Sequence, residues 1–404
     1  MINWKETTLG EACKILSGST PSTEDSSFWD GNISWITPKD LSGFNGTFIE
    51  KGERNITEAG LRNSSAQLLT PNTILFSSRA PIGYVAIAKK ELTTNQGFKN
   101  IVCDEKITHF QFIYYWLKFK SNLIEKRSSG STFSEASASL MRSLEIDLPP
   151  IEEQKEIAGV LSSLDDKIEL LREKNKTLEA TAQTIFKEWF VNFNFPNIEG
   201  KSYKSSGGKM IDSEIGEIPE GWRAGKLGEE VKIVMGQSPS GESYNENENG
   251  EVFFQGRTDF SDRFPQVRLY TTEPKRMAER FDVLVSVRAP VGDINVASER
   301  CCIGRGLAAV RSDYKSYALY KIKSLKDAFN KFEAEGTVFG SINKDSFLNI
   351  EALIPATEVV KSFDGFANSL DEKIFNNYSQ IQNLSTLRDT LLPKLMNGEL
   401  KIRN

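Results

Sequence analysis

The sequence predicts an α+β protein: two globular α/β domains separated by two long antiparallel (coiled-coil) helices, with an internal pseudo-two-fold repeat. Three observations predict it. The chain contains itself twice, in the same order of landmarks. Each copy opens with short apolar bursts punctuated by Gly, Pro, Ser and Thr, the mark of strands between turns. Each copy closes with a heptad pattern of apolar residues, the mark of a coiled-coil helix.

The duplication is read from matching residues. Trp4, Leu9 and Gly10 recur as Trp222, Leu227 and Gly228; Gly18 and Pro21 recur as Gly236 and Pro239. Arg79-Ala80-Pro81-Ile82-Gly83 recurs as Arg288-Ala289-Pro290-Val291-Gly292, and Leu164-Asp165-Asp166-Lys167-Ile168 as Leu370-Asp371-Glu372-Lys373-Ile374. The offset falls from 218 to 209 to 206 along the copy, as loop lengths change. A duplicated chain fits a partner with two related half-sites.

In the globular parts, Ile33-Ser34-Trp35-Ile36, Thr73-Ile74-Leu75-Phe76 and Asp282-Val283-Leu284-Val285 read as strands, and helices are expected near residues 109–126 and 317–332. Pro149-Pro150, followed by Glu152, Glu153 and Glu156, starts a helix, because proline pre-sets φ and acids suit the positive end of the macrodipole. Its seam runs Ile157, Leu161, Leu164, Ile168, Leu171, Asn175, Leu178, Ala182, Ile185 and Trp189, and Asn194-Phe195-Pro196 ends it. The second seam is Phe363, Ala367, Leu370, Ile374, Asn377, Ile381, Leu384, Arg388, Leu391 and Leu395, with Pro393 expected to kink or end that helix. In an antiparallel pair, facing residue numbers have a constant sum. A sum of 552 sets Asn175 opposite Asn377, and this pair is expected to fix the register at some cost in stability. Each helix of about 40 residues would be roughly 60 Å long, on the order of one and a half to two turns of B-DNA.

At 404 residues the chain is too long for one core. It holds 39% hydrophobic and 26% charged residues, as folded proteins do. No 18-residue apolar run exists, the start lacks the order of a signal peptide, and the four cysteines are scattered. A cytoplasmic protein without a membrane span is therefore expected. The net charge of −5 and the absence of any basic segment mean that DNA binding would need local positive charge or a partner that supplies it.

The search for chemistry finds no catalytic set. The single histidine, His109, stands beside Phe110 and Phe112 and reads as a packing residue. Without a second His or clustered Cys there is no zinc site, and no metal site is expected. There is no Walker A loop, and no Asn- or Asp-Pro-Pro-aromatic tetrad of a base methyltransferase. The acid–acid–Lys triplets at 165–167 and 371–373 lie on the long helices and read as a solvated charged face rather than a nuclease centre.

The loops of the globular parts hold more. Lys39 and Arg257 follow matching aromatic strands; Asn95 and Gln96 match Gly304 and Arg305; Ser19 and Thr20 match Gln237 and Ser238. Arg, Lys, Asn and Gln read base edges in the major groove, and Gly lets backbone N–H groups approach phosphate. Arg79 and Arg288 have two readings: contact with DNA, or internal pairing within a structural turn. Residues shared by both copies cannot tell two half-sites apart, so discrimination falls to the loops that differ.

The chain resembles the specificity (S) subunit of type I restriction–modification systems over nearly its whole length. The carriers are Leu148-Pro149-Pro150-Ile151-Glu152-Glu153-Gln154, Thr184-Ile185-Phe186-Lys187-Glu188-Trp189-Phe190, Gly216-Glu217-Ile218-Pro219-Glu220-Gly221-Trp222, and Leu391-Leu392-Pro393-Lys394-Leu395-Met396-Asn397-Gly398-Glu399-Leu400. Ile354-Pro355-Ala356-Thr357-Glu358 is a degenerate copy of the first. The resemblance implies target recognition domains at 1–148 and 222–354, conserved helices at 149–195 and 355–404, and a linker at 196–221. It also implies that each domain reads one half of an asymmetric, bipartite site in double-stranded DNA. The helices would dock two methyltransferase (modification) subunits, and restriction/translocase subunits would join them. S-adenosylmethionine, ATP and Mg would sit on those partners, with no cofactor and no active site on this chain. A helical-rod scaffold or RNA-binding adaptor is the alternative from another class, and a nuclease with an unrecognised site is a further one.

Overall fold

The computed structural model describes residues 4–128, 134–334 and 340–402. The chain forms two compact units, Met1–Arg172 with Ser379–Asn404, and Glu173–Tyr378. Each unit holds one globular part and a stretch of both long helices.

The two globular parts share the strand order of their main sheets and differ at the sheet edges. In the first unit the main sheet runs in the order Cys13–Ser17, Phe98–Cys103, Ile74–Ser77, Val85–Ala88 and Phe48–Ile49. In the second it runs Lys232–Met235, Leu307–Arg311, Val283–Ser286 and Ile294–Val296, the same order over its four strands. A smaller sheet repeats as well: Trp29–Ile36 pairs in parallel with Thr93–Thr94, as Glu251–Phe254 does with Cys301–Ile303. The end strands also correspond, Lys5–Thr8 pairing with Glu145–Leu148 and Arg223–Lys226 with Glu351–Ile354. The expected strands are thus present. The helix expected near residues 109–126 is Phe110–Ser128, whereas that near 317–332 is two helices, Lys315–Ser324 and Lys326–Ala334.

The long helices are Ile151–Phe190 and Thr357–Met396, each of 40 residues. Gln154 explains why the first helix starts where it does. Its buried side chain accepts from the His109 N–H and donates to the carbonyls of Ile107 and Pro149, tying the first turn to the globular helix. His109 packs its ring 5.0 Å from that of Phe110. The second helix runs through Pro393 rather than ending there. Proline forfeits one N–H, but its own carbonyl still accepts from Asn397, and the helix closes three residues beyond.

Within each unit the two helices run antiparallel in the register of the constant sum. In the first unit Ile168, Leu171 and Ile381 are buried together with Leu384 against them, and Ile157 and Leu161 share a core with Leu391 and Leu395. In the second, Ala182, Ala367, Leu370 and Ile374 are buried in one core with Leu178 and Ile185. Small residues face large ones, as close packing of two helices requires. Asn377 donates to the Asn175 Oδ1 at 2.8 Å, and Asn175 reaches the Ile374 carbonyl at 3.4 Å.

The acid–acid–Lys triplets need correction. They are not wholly a solvated face, because the first acid of each is drawn inward. Asp165 is buried, accepting from the Tyr115 hydroxyl at 2.8 Å and from Arg388 at 2.6 Å. Asp371 repeats this, accepting from Tyr320 at 3.0 Å and from Arg263 at 2.6 Å. The physical reason is that each carboxylate meets two donors, and this offsets its desolvation. Burial, reinforced by the carboxylate alongside, pushes the hydroxyls of Tyr115 and Tyr320 well above the usual tyrosine range, so both remain donors.

The segment between the copies is ordered. Met210–Ser213 and Gly216–Pro219 form a hairpin, and the Phe195 ring stacks on Tyr203 and on Trp222. Trp222 in turn packs 5.8 Å from Phe190, whose ring lies 5.3 Å from the fully buried Phe363.

The Asn pair yields a prediction. Asn377→Leu alone leaves Asn175 short of a partner and costs about 1 kcal/mol, whereas Leu at both positions recovers that loss and raises the melting temperature. Thermal melting of the two variants checks this; a double variant no more stable than Asn377→Leu would overturn it.

Candidate nucleic-acid interface

In the first unit, three loops meet beside the strand Trp29–Ile36. The Ser19 N–H donates to the Thr94 carbonyl at 2.9 Å, and the Trp35 indole donates to the Ser19 carbonyl at 3.0 Å. The Thr20 hydroxyl donates to the Gln96 side chain. Asn95 bonds through its N–H to Ile36, and its side-chain oxygen accepts from Gly97 at 2.9 Å, which fixes the turn and leaves Gln96 exposed. Gly18 makes this approach possible: a Cβ there would stand 2.0 Å from the Asn95 carbonyl oxygen.

The second unit builds the same junction from other residues. Gln237 donates its N–H to the Ile303 carbonyl at 2.9 Å, and the Ser238 hydroxyl accepts from the Arg305 N–H at 3.2 Å. A Cβ on Gly236 would stand 2.1 Å from the Gly304 oxygen. The Arg305 side chain is exposed.

The Arg-Ala-Pro-x-Gly motif is a turn with a cis proline in both units. The Ser77 hydroxyl donates to the Pro81 carbonyl and accepts from the Tyr84 N–H; Ser286 does the same with Pro290 and Asp293. Gly83 and Gly292 take positive φ, at 102° and 91°. The turn sets its arginine beside the junction, because Ser78 bonds the Gly97 carbonyl at 2.7 Å and Val287 the Gly306 carbonyl at 2.9 Å. Arg79 is half-exposed and lies 3.1 Å from Glu135, which also holds the buried Lys99 at 3.1 Å. Arg79 therefore pairs internally while keeping one side open. Arg288 is exposed.

Lys39 and Arg257 occupy matching one-turn helices, Pro38–Leu41 and Arg257–Asp259. The acid of each turn is structural: Asp40 accepts from the N–H groups of Thr37 and Glu53, and Asp259 from those of Gln255 and Gly256. The basic residue points outward, Lys39 to Glu53 at 2.8 Å and Arg257 to Asp293. Pro38 lies against Gly97, and Gly256 beside Gly306, so these turns border the same junctions. Each unit thus gathers its sequence-predicted residues into one polar cluster. Sequence reasoning missed Glu135 and Lys99, because nothing local ties them to Arg79. No group of His, Cys, Asp and Glu suited to a metal occurs among the described residues, and no described helix is long and apolar enough to cross a membrane.

Comparison with known proteins places this architecture. Residues 1–180 match the family described as the type I restriction modification DNA specificity domain. The type I restriction enzyme MjaIX specificity subunit of Methanocaldococcus jannaschii is 34% identical over 99% of this chain and 94% of that protein. The putative MjaX specificity subunit of the same organism is 32% identical over 74% of this chain and 69% of its own length. In fold, the chain is similar to the crystal structure of a type I restriction-modification system S subunit from M. genitalium, with a TM-score of 0.61 and 18% identity, over 98% and 96% of the two chains. The chain belongs to the family of type I restriction enzyme specificity subunits.

The junction glycines give a test of this geometry. Gly18→Ala and Gly236→Ala each press a Cβ onto backbone and are expected to cost about 1–3 kcal/mol. Unchanged melting temperatures in both would show that the loops separate freely.

Proposed function

We propose that this chain selects the DNA sequence for a type I restriction–modification complex and is not itself catalytic. The observation that carries the reading is a pair of equivalent polar clusters with different residues at equal places: Ser19-Thr20 and Asn95-Gln96 in one, Gln237-Ser238 and Gly304-Arg305 in the other. Groups able to read base edges on a repeated scaffold suit a target with two unlike halves. A scaffold or RNA adaptor has no need for such divergence.

In this reading each cluster reads one half of an asymmetric, bipartite site in double-stranded DNA. The long helices dock two methyltransferase subunits and set the spacer, and restriction/translocase subunits join the assembly. S-adenosylmethionine, ATP and Mg act on those partners. Partner subunits that help clamp the duplex also reconcile DNA binding with a net charge of −5. The complex works where chromosomal DNA is, in the cytoplasm.

Single-molecule sequencing of host DNA, with and without the gene, tests this. A split adenine-methylation motif that vanishes on deletion is expected, and an unchanged methylome would count against the reading. Arg305→Ala is then expected to relax one half of that motif only, with about 1–3 kcal/mol of lost discrimination, or roughly 5- to 150-fold. Equal relaxation of both halves would exclude a half-site role for Arg305.

A further inference from the structure

A cleft of about 300 Å³ opens in the first unit between the globular part and the long helices. Three cations line it, Lys118, Arg172 and Arg388, together with Tyr84, Tyr114 and Asn45, and among the described residues no acid lines it. Arg388 is neutralised by Asp165 and Asp389, and Glu169 stands beside Gly46 at the margin. The other two cations differ. Among the described residues Arg172 donates to the Asn45 carbonyl at 2.7 Å and Lys118 to the Tyr114 hydroxyl at 3.4 Å, both neutral acceptors. Among the described residues neither is held in an ion pair, and cations that share a cleft repel unless an anion joins them.

The repeat shows that the fold does not require this. Lys118 matches Lys323 and Arg172 matches Tyr378, at the offsets of 205 and 206 that relate Tyr115 to Tyr320 and Asp165 to Asp371. In the second unit Lys323 is ion-paired with Glu179, and Tyr378 packs 4.6 Å from Phe264. There the matching positions are neutralised and filled with rings. In the first unit they are open and basic.

The cleft also adjoins the reading cluster. The turn that presents Arg79 at one end places Gly83 and Tyr84 in the cleft wall at the other, closed by the Gly83 N–H donating to Ser77 at 3.0 Å. We propose that Lys118 and Arg172 bind backbone phosphate of the DNA beyond the half-site read by the first unit. They would hold the duplex without reading its bases.

This rests on the DNA-reading role above, and the test separates the two. DNA binding is measured against salt for the chain assembled with its modification subunits, on DNA carrying the split motif and on unrelated DNA. The double variant Lys118→Gln, Arg172→Gln is expected to weaken both bindings alike and to lower the log–log salt slope by about 1 to 2, near 0.9 per lost phosphate contact. The methylated motif stays the same. Lys118→Arg with Arg172→Lys keeps the slope, which separates charge from folding. A slope shared by the wild type and the Gln variant overturns the proposal while leaving the DNA-reading role intact. A wild-type complex that binds no DNA overturns both. Stabilisation by pyrophosphate with an unchanged DNA slope would assign the cleft to a free phosphate compound instead, and overturns the proposal too.

Discussion

Each long helix carries an apolar seam over 40 residues, and burying that seam against the other helix is the constraint from which the remaining structure follows. Two helices in antiparallel contact have one register that buries both seams, and here the sum of facing residue numbers is constant across Ile168–Leu384, Leu171–Ile381 and Ala182–Leu370. A slip of one turn would place Asn175 and Asn377 against apolar neighbours. Their mutual hydrogen bond turns a polar interruption into a mark of register.

The globular parts are fastened to this frame by a repeated device. A tyrosine of the globular helix donates to an inward-turned aspartate of the long helix, and an arginine is its second donor. In the first unit the arginine is Arg388, from the second long helix; in the second it is Arg263, from a loop of the globular part. The aspartate and tyrosine correspond between copies, while the third partner does not. Duplication kept the docking contact and let its surroundings diverge. The loop clusters follow the same rule. Gly18 and Gly236 allow the same close approach, and the residues brought together beyond them differ.

Much of the fold was legible in the sequence because periodicity survives without tertiary knowledge. The heptads, the strand bursts and the matched landmarks are local or repeated signals. The candidate reading residues were legible as loop positions, since strand ends and turns mark where side chains leave the sheet. Less legible was what each residue touches. Asp165 and Asp371 looked like surface acids because their partners, Tyr115 and Tyr320, lie about fifty residues away. Glu135 carries no mark that it would take both Arg79 and Lys99. The segment after Phe195 was expected only as a linker, yet aromatic stacking and a hairpin order it.

By itself the sequence determined the repeat, the two helical seams and the register that pairs them, because these depend on spacing along the chain. Family membership followed from motifs that are likewise linear. The tertiary structure alone decided which charges are spent internally and which remain open. Arg79 is held by Glu135, Arg388 by Asp165, and Lys323 by Glu179, while Arg172 lines an open cleft. Charge pairing depends on distances of a few ångströms between residues far apart in the chain, and composition carries no record of them.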